Sequence, residues 1–129
     1  MAARLTKSYF LAAVAALTAV PMALLPLAAD ARGLSVPQVQ VWTINTIRYE
    51  CAGGKSLTVR YTNTQNQQNF ALLNVQGHDM LFVNTLATTG TKYVAGKYSW
   101  WTRNLKGTLR DETAAESAAP LLDDCRARA

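Results

Sequence analysis

Apolar and polar residues alternate in short runs from about residue 36 onward. Leu57-Thr58-Val59-Arg60-Tyr61 shows it most cleanly, with Leu57, Val59 and Tyr61 on one side. That period of two is what a half-buried strand requires. Val36 to Ile47 alternates around Trp42 and predicts a first strand with an irregular start, and Arg48 to Cys51 predicts a short extended piece. Phe70 to Val75, Met80 to Val83, Lys92 to Ala95, Tyr98 to Arg103, Thr108 to Arg110 and Leu121 to Cys125 predict further strands. Gly53-Gly54-Lys55, Gly77-His78-Asp79 and Gly96-Lys97 punctuate these runs and predict tight turns. Asn63 to Asn69 is entirely amide and hydroxyl and predicts a flexible hairpin loop. Asn84 to Thr91 predicts a Thr-rich loop, and Asp111 to Pro120 a loop in which Pro120 limits any helical turn. Past the N-terminal segment no long apolar stripe of period 3.6 occurs. Many short strands joined by Gly and Asn turns predict an all-β domain, a small antiparallel barrel or sandwich.

Parity along Tyr98-Ser99-Trp100-Trp101-Thr102-Arg103 puts Tyr98, Trp100 and Thr102 on one face and Ser99, Trp101 and Arg103 on the other. Ser99 and Arg103 are polar, so their face is expected to meet solvent. Trp100 is therefore expected in the core, and Trp101 outside, beneath Arg103.

The first 31 residues follow another logic. Arg4 and Lys7 precede an apolar run from Tyr9 to about Leu27, and Ala29-Asp30-Ala31 fits a small-x-small processing site. The run approaches the length of a bilayer span, but Pro21 and Pro26 interrupt it before the processing site. A cleaved signal peptide over 1–31 and an exported domain over 32–129 are expected. The first cysteine, Cys51, lies well past the apolar run. No lipid-carrying cysteine follows that run, so no membrane anchor is expected after cleavage, and the expected location is the periplasm.

The chain has 129 residues, a formal charge of +5 and two cysteines. A domain of about 100 residues has a limited core, and in an oxidising compartment two cysteines are expected to pair. A Cys51–Cys125 bond would close a loop of about 75 residues and contribute roughly 4 kcal/mol in the chain-entropy model. Export and the scattered placement of Lys and Arg argue against a nucleic-acid partner. Chemistry is sparse. His78 is the one histidine and stands in a predicted turn, so no metal site is expected. There is no Gly-rich phosphate loop, so no cofactor is expected. Asp111, Glu112, Glu116, Asp123 and Asp124 cluster in a polar C-terminal stretch and are expected to be solvated charge rather than a catalytic pair. The chain is not expected to be an enzyme.

Two motifs carry more. Thr89-Gly90-Thr91-Lys92-Tyr93 is followed by Tyr98-Ser99-Trp100-Trp101-Thr102-Arg103. Together they resemble the two-loop signature of the periplasmic and membrane-bound inhibitors of c-type lysozyme, Ser-Gly-x-Arg/Lys-Tyr and then Tyr-x-Trp-Trp-x-Lys-Gly. The resemblance runs from about Arg48 to Cys125. Tyr49-x-Cys51 with Gly54, Leu57, Val59 and Tyr61 is similar to the family's opening segment, and Leu109 and Cys125 fall where the family has a Leu and its second cysteine. The Tyr-x-Trp-Trp spacing is the specific part. Thr89 stands where Ser is common, Arg103 where Lys is usual and Asn104 where Gly is usual. Thr keeps the hydroxyl but stiffens χ1, Arg replaces a point charge with a planar fork, and Asn tolerates a left-handed turn.

The resemblance implies a barrel of about eight antiparallel strands stapled by Cys51–Cys125. It also implies a c-type lysozyme as partner, with its substrate cleft occluded by two loops. Carried over by position, the contacts are Thr89, Gly90, Thr91, Lys92, Tyr93, Trp101 and Arg103. Two other readings compete with it: a carbohydrate-binding module with Trp100 or Trp101 as sugar platform, and a small barrel holding an apolar ligand inside.

Overall fold

The computed structural model describes residues 33–129; the predicted export segment, 1–31, lies outside them. Eight strands follow one another: β1 (Val41–Glu50), β2 (Ser56–Thr64), β3 (Phe70–Val75), β4 (His78–Thr85), β5 (Thr91–Ala95), β6 (Tyr98–Arg103), β7 (Lys106–Asp111) and β8 (Leu122–Arg128). Each pairs antiparallel with the next, and β1 pairs with β8, so the sheet closes into a barrel in simple sequence order. Closure leaves no edge strand open to aggregation.

The alternation read in the sequence is the alternation seen. Leu57, Val59 and Tyr61 of β2, Ala71, Leu73 and Val75 of β3, and Phe82 of β4 point inward and are buried. Trp100 is fully buried at the barrel centre. It fits because Gly107, diagonal to it across the β6–β7 pair, has no side chain. A Cβ at 107 would lie 2.2 Å from the indole, so any larger residue there would displace the ring. The core also contains a polar chain: the Trp100 indole N–H donates to Tyr61 Oη at 2.8 Å, and Tyr61 Oη lies 2.9 Å from Tyr49 Oη. Burying hydroxyls without partners would cost stability, and here both are paired. The Cys51–Cys125 disulfide is formed and ties the end of β1 to β8 across 74 residues of sequence.

Several boundaries differ from expectation. β1 begins at Val41 rather than Val36 and continues through Arg48 to Glu50 as one strand. Val36 instead accepts a turn hydrogen bond from Val39 N–H; Pro37 between them has no N–H to give a ladder. His78 and Asp79 belong to β4, with Val75 opposite His78. β4 extends to Thr85, which shortens the Thr-rich loop, and β8 runs three residues past Cys125. The polar stretch from Asn63 to Asn69 is tied down. Thr64 Oγ1 donates to Asn66 Oδ1 at 2.6 Å, and Thr64 N–H donates to Asn69 Oδ1 at 2.9 Å.

Candidate functional site

β5 and β6 bring the two motifs together at one mouth of the barrel. Thr91 pairs with Thr102, Lys92 with Trp101 and Tyr93 with Trp100. The loop ending in Gly90 therefore lies directly against the end of β6. Gly90 has φ +69°, and a Cβ there would sit 2.3 Å from the Thr102 carbonyl oxygen and 3.2 Å from Arg103 Cβ. Only glycine allows both the left-handed backbone and this approach. The Trp101 indole N–H donates to the Thr89 carbonyl at 2.8 Å. This locks the first motif onto the second from the outer wall.

Beyond Arg103 the chain reverses through Asn104 (φ 49°) and Leu105 (φ 63°). Two consecutive positive φ values define the tight hairpin turn whose twist matches the flanking strands. Asn104 takes the left-handed conformation that glycine takes most easily. Arg103 is exposed, and among the described residues it forms no ion pair. The five pairs engage Lys92, Lys97, Lys106, Arg126 and Arg128 instead.

Thr89, Gly90, Thr91, Thr102, Arg103 and Asn104 rim a recess of about 540 Å³, with Tyr49 and Tyr61 on its floor. Burial pushes the phenol pKa values of Tyr49, Tyr61 and Tyr93 above the usual tyrosine value. The floor is thus neutral and hydrogen-bonded, and the free charge of the rim is the Arg103 guanidinium.

Not every residue singled out in the sequence reaches this rim. Thr89, Gly90 and Arg103 are exposed and Thr91 is half-buried there. Tyr93 is buried inside the barrel, its ring 5.6 Å from that of Tyr61, so it supports the loop from within rather than presenting a surface. Lys92 lies on the outer wall, paired with Glu112 at 3.1 Å. Trp100 is inward and Trp101 half-exposed outside, as parity predicts. Ser99 is buried, although its face was expected to meet solvent. Glu112 folds over the outer wall and accepts the Ser99 hydroxyl, and that bond leads the causes that hold the Glu112 carboxyl below its ordinary pKa. Leu86 and Leu105, which the two motifs do not include, are 95% and 74% exposed in the two loops. An apolar side chain isolated in a polar turn was the available signal.

The molecule is an eight-stranded antiparallel barrel that presents two joined loops at one mouth, with Arg103 in no ion pair among the described residues. The chain belongs to the family described as membrane-bound lysozyme-inhibitor of c-type lysozyme, whose model matches residues 49–117. A relative from Cupriavidus necator, named membrane-bound lysozyme inhibitor of C-type lysozyme, is 41% identical over 98 residues, covering 76% of this chain and 78% of that protein. A relative of the same name from Pseudomonas aeruginosa is 32% identical over 77 residues, covering 59% of this chain and 60% of the other. Among solved structures, Pseudomonas aeruginosa MliC in complex with hen egg white lysozyme is similar, with a TM-score of 0.61 and 26% identity over 78% of this chain and 98% of that one. PliC-St, the periplasmic lysozyme inhibitor of C-type lysozyme from Salmonella typhimurium, shares the fold at a TM-score of 0.58 and 19% identity, covering 67% of this chain and all of the other.

Proposed function

We propose that this chain is an exported inhibitor of c-type lysozyme that occludes the enzyme's substrate cleft with the Thr89–Thr91 loop and the Arg103 turn, and so protects peptidoglycan. The observation that carries the reading is the joining of both motifs at one barrel mouth, with Arg103 exposed and free of any described acidic partner. A family member similar to this chain was solved bound to hen egg white lysozyme. A retaining glycosidase holds its two carboxyl groups roughly 5 Å apart, and a guanidinium donates to carboxylates in paired, charge-assisted hydrogen bonds. The Thr89 hydroxyl supplies a second, neutral contact beside it. In this account residues 1–31 direct export and are removed, and residues 32–129 act in the periplasm without a cofactor.

The rival readings have less support. Trp101 commits its indole N–H to the Thr89 carbonyl and is half-buried against the wall, which makes it a brace for the loop. Trp100, Phe82, Leu73, Leu109 and Val59 pack the core, and the cleft of about 990 Å³ beside them is walled by Lys55, Arg60 and Asp79 as well as by Leu57 and Val75, a mixed lining that suits an apolar ligand poorly.

The test is a cell-lysis assay with c-type lysozyme. The mature protein should inhibit lysis. Truncating one partner of a buried, hydrogen-bonded charge pair costs about 2–5 kcal/mol, so Arg103→Ala should weaken inhibition roughly thirtyfold to several thousandfold. Arg103→Lys should keep partial activity. A folded Arg103→Ala protein that inhibits like wild type would show that this side chain is an ordinary solvated strand end.

A further inference from the structure

β3 and β4 are patterned for burial on both faces. Phe70-Ala71-Leu72-Leu73 and Met80-Leu81-Phe82-Val83 are unbroken apolar runs, whereas a barrel wall facing water needs only every second residue apolar. The inward residues Ala71, Leu73 and Phe82 fill the core. The outward residues pair into an apolar block on the barrel exterior, Phe70 opposite Val83 and Leu72 opposite Leu81. Leu81 is 45% exposed, Leu72 37% and Val83 36%. Ile44 of β1 extends the block through Thr62 of β2. Apolar surface that is contiguous rather than scattered marks an interaction site.

The charges beside it select the partner. Arg60 is the direct cross-strand neighbour of Leu72. Below the Val59–Leu73 pair the ladder between β2 and β3 stops although both strands continue, and a cleft of about 990 Å³ opens with Lys55, Arg60 and Leu72 among its walls. Arg48 stands on β1 opposite Thr58. None of these three cations is in an ion pair among the described residues. Of the nearby acids, Asp79 lines the same cleft and keeps its charge, accepting from the neutral Asn74 amide at 2.8 Å, and Glu50 is taken by Arg128, so the three cations outnumber the one acid without an ion pair. Asp111, Glu112, Asp123 and Asp124 belong to β7, β8 and the chain between them, across the barrel from β3 and β4 in strand order.

We propose that the outer face of β2–β4 is a peripheral docking surface for an anionic phospholipid bilayer, with Phe70, Leu72, Leu81 and Val83 entering the interface and Lys55 and Arg60 meeting lipid phosphates. Apolar burial combined with attraction to anionic headgroups is how proteins without a span hold reversibly to membranes. A second copy of the chain is the other occupant for an apolar wall of this kind, and sedimentation equilibrium separates the two. The face is on the barrel wall, and the Gly90–Arg103 loops are at its mouth.

The experiment is co-sedimentation of the purified exported protein with phosphatidylglycerol-containing vesicles and with pure phosphatidylcholine vesicles. Preferential binding to the anionic vesicles, weakened on going from about 0.05 M to about 0.5 M salt, is expected. Arg60→Gln should lower partitioning about fivefold, and the Leu72→Gln/Leu81→Gln double variant more than about tenfold. Both replace exposed outer-wall residues, and circular dichroism melts confirm that the variants are folded. Failure of wild type to sediment with anionic vesicles overturns the proposal, as does equal binding by the folded double variant. Sedimentation equilibrium showing a dimer that the double variant dissolves, without vesicle binding, assigns the face to self-association and overturns it as well.

Discussion

Replacing Gly90 with alanine tests whether the two motifs act as one unit. The new methyl group faces two separate penalties. A non-glycine residue at φ +69° costs about 1–2 kcal/mol. The Cβ would also sit 2.3 Å from the Thr102 carbonyl oxygen, a backbone atom held between the β5 and β7 ladders. That atom cannot swing aside, so the loop must retreat by roughly 1 Å to reach van der Waals distance. Retreat stretches the hydrogen bond from Trp101 to Thr89, worth about 0.5–1.5 kcal/mol. The sum is about 1.5–3.5 kcal/mol, and for a domain of this size each kcal/mol lowers Tm by about 4–8 °C. Gly96→Ala is the reference. Gly96 has φ +54° but nothing within 4 Å of its would-be Cβ, so it carries the backbone penalty alone. Thermal melts of both variants, followed by titration against c-type lysozyme, separate the two contributions. Gly90→Ala should melt well below Gly96→Ala and lose inhibition on the order of a hundredfold, as expected for a misplacement of about 1 Å in an organised contact. Gly96→Ala should inhibit normally. Equal melting temperatures and unimpaired inhibition by Gly90→Ala would refute the claim that the loop must pack on β6.

Three further outcomes follow from the same geometry. Removing the disulfide as Cys51→Ala/Cys125→Ala should cost about 2–5 kcal/mol, read as a lower urea midpoint with the barrel's circular dichroism retained below it. Tyr61→Phe leaves the buried Trp100 indole N–H without its acceptor and should cost about 1–3 kcal/mol; a ΔΔG near zero in urea melts would mean the polar chain is dispensable. Burial raises the folded-state pKa of Tyr61, and those of Tyr49 and Tyr93. Their stabilising contribution is therefore complete below the unfolded tyrosine value near 10 and is lost as pH rises beyond it. Urea midpoints should hold level up to about pH 10 and fall above it, less steeply in Tyr61→Phe; a midpoint that stays level well beyond that pH would contradict the burial argument.

Much of the barrel was legible because its signals are local. The alternation of Leu57, Val59 and Tyr61 and the opposed parity of Trp100 and Trp101 follow from strand geometry alone. Boundaries were less legible, since strands lengthen when partners continue the ladder. Thr85 is held by Lys92 and Arg126 by Lys106, contacts no local pattern announces. Ser99 departs from its parity for a related reason: a carboxylate thirteen residues away covers it. The all-β class was readable in the short alternating runs and their turns, and the eight-stranded barrel through the family resemblance. That Tyr93 faces inward while Thr89 and Arg103 share a rim depended on the register between β5 and β6, which tertiary pairing sets. The apolar exterior of β3 and β4 was visible as unbroken runs, but their meaning required knowing which residues the core had already used.

Competition for the cleft tests the central claim most directly. Binding of the mature protein to c-type lysozyme should be measured calorimetrically, first with the free enzyme and then with its substrate cleft occupied by tri-N-acetylchitotriose. If the Thr89–Thr91 loop and Arg103 enter the cleft, the saccharide must compete, and the apparent Kd should rise in proportion to its concentration. An affinity unchanged by saturating saccharide would mean that the protein binds lysozyme elsewhere or does not act by occluding the cleft.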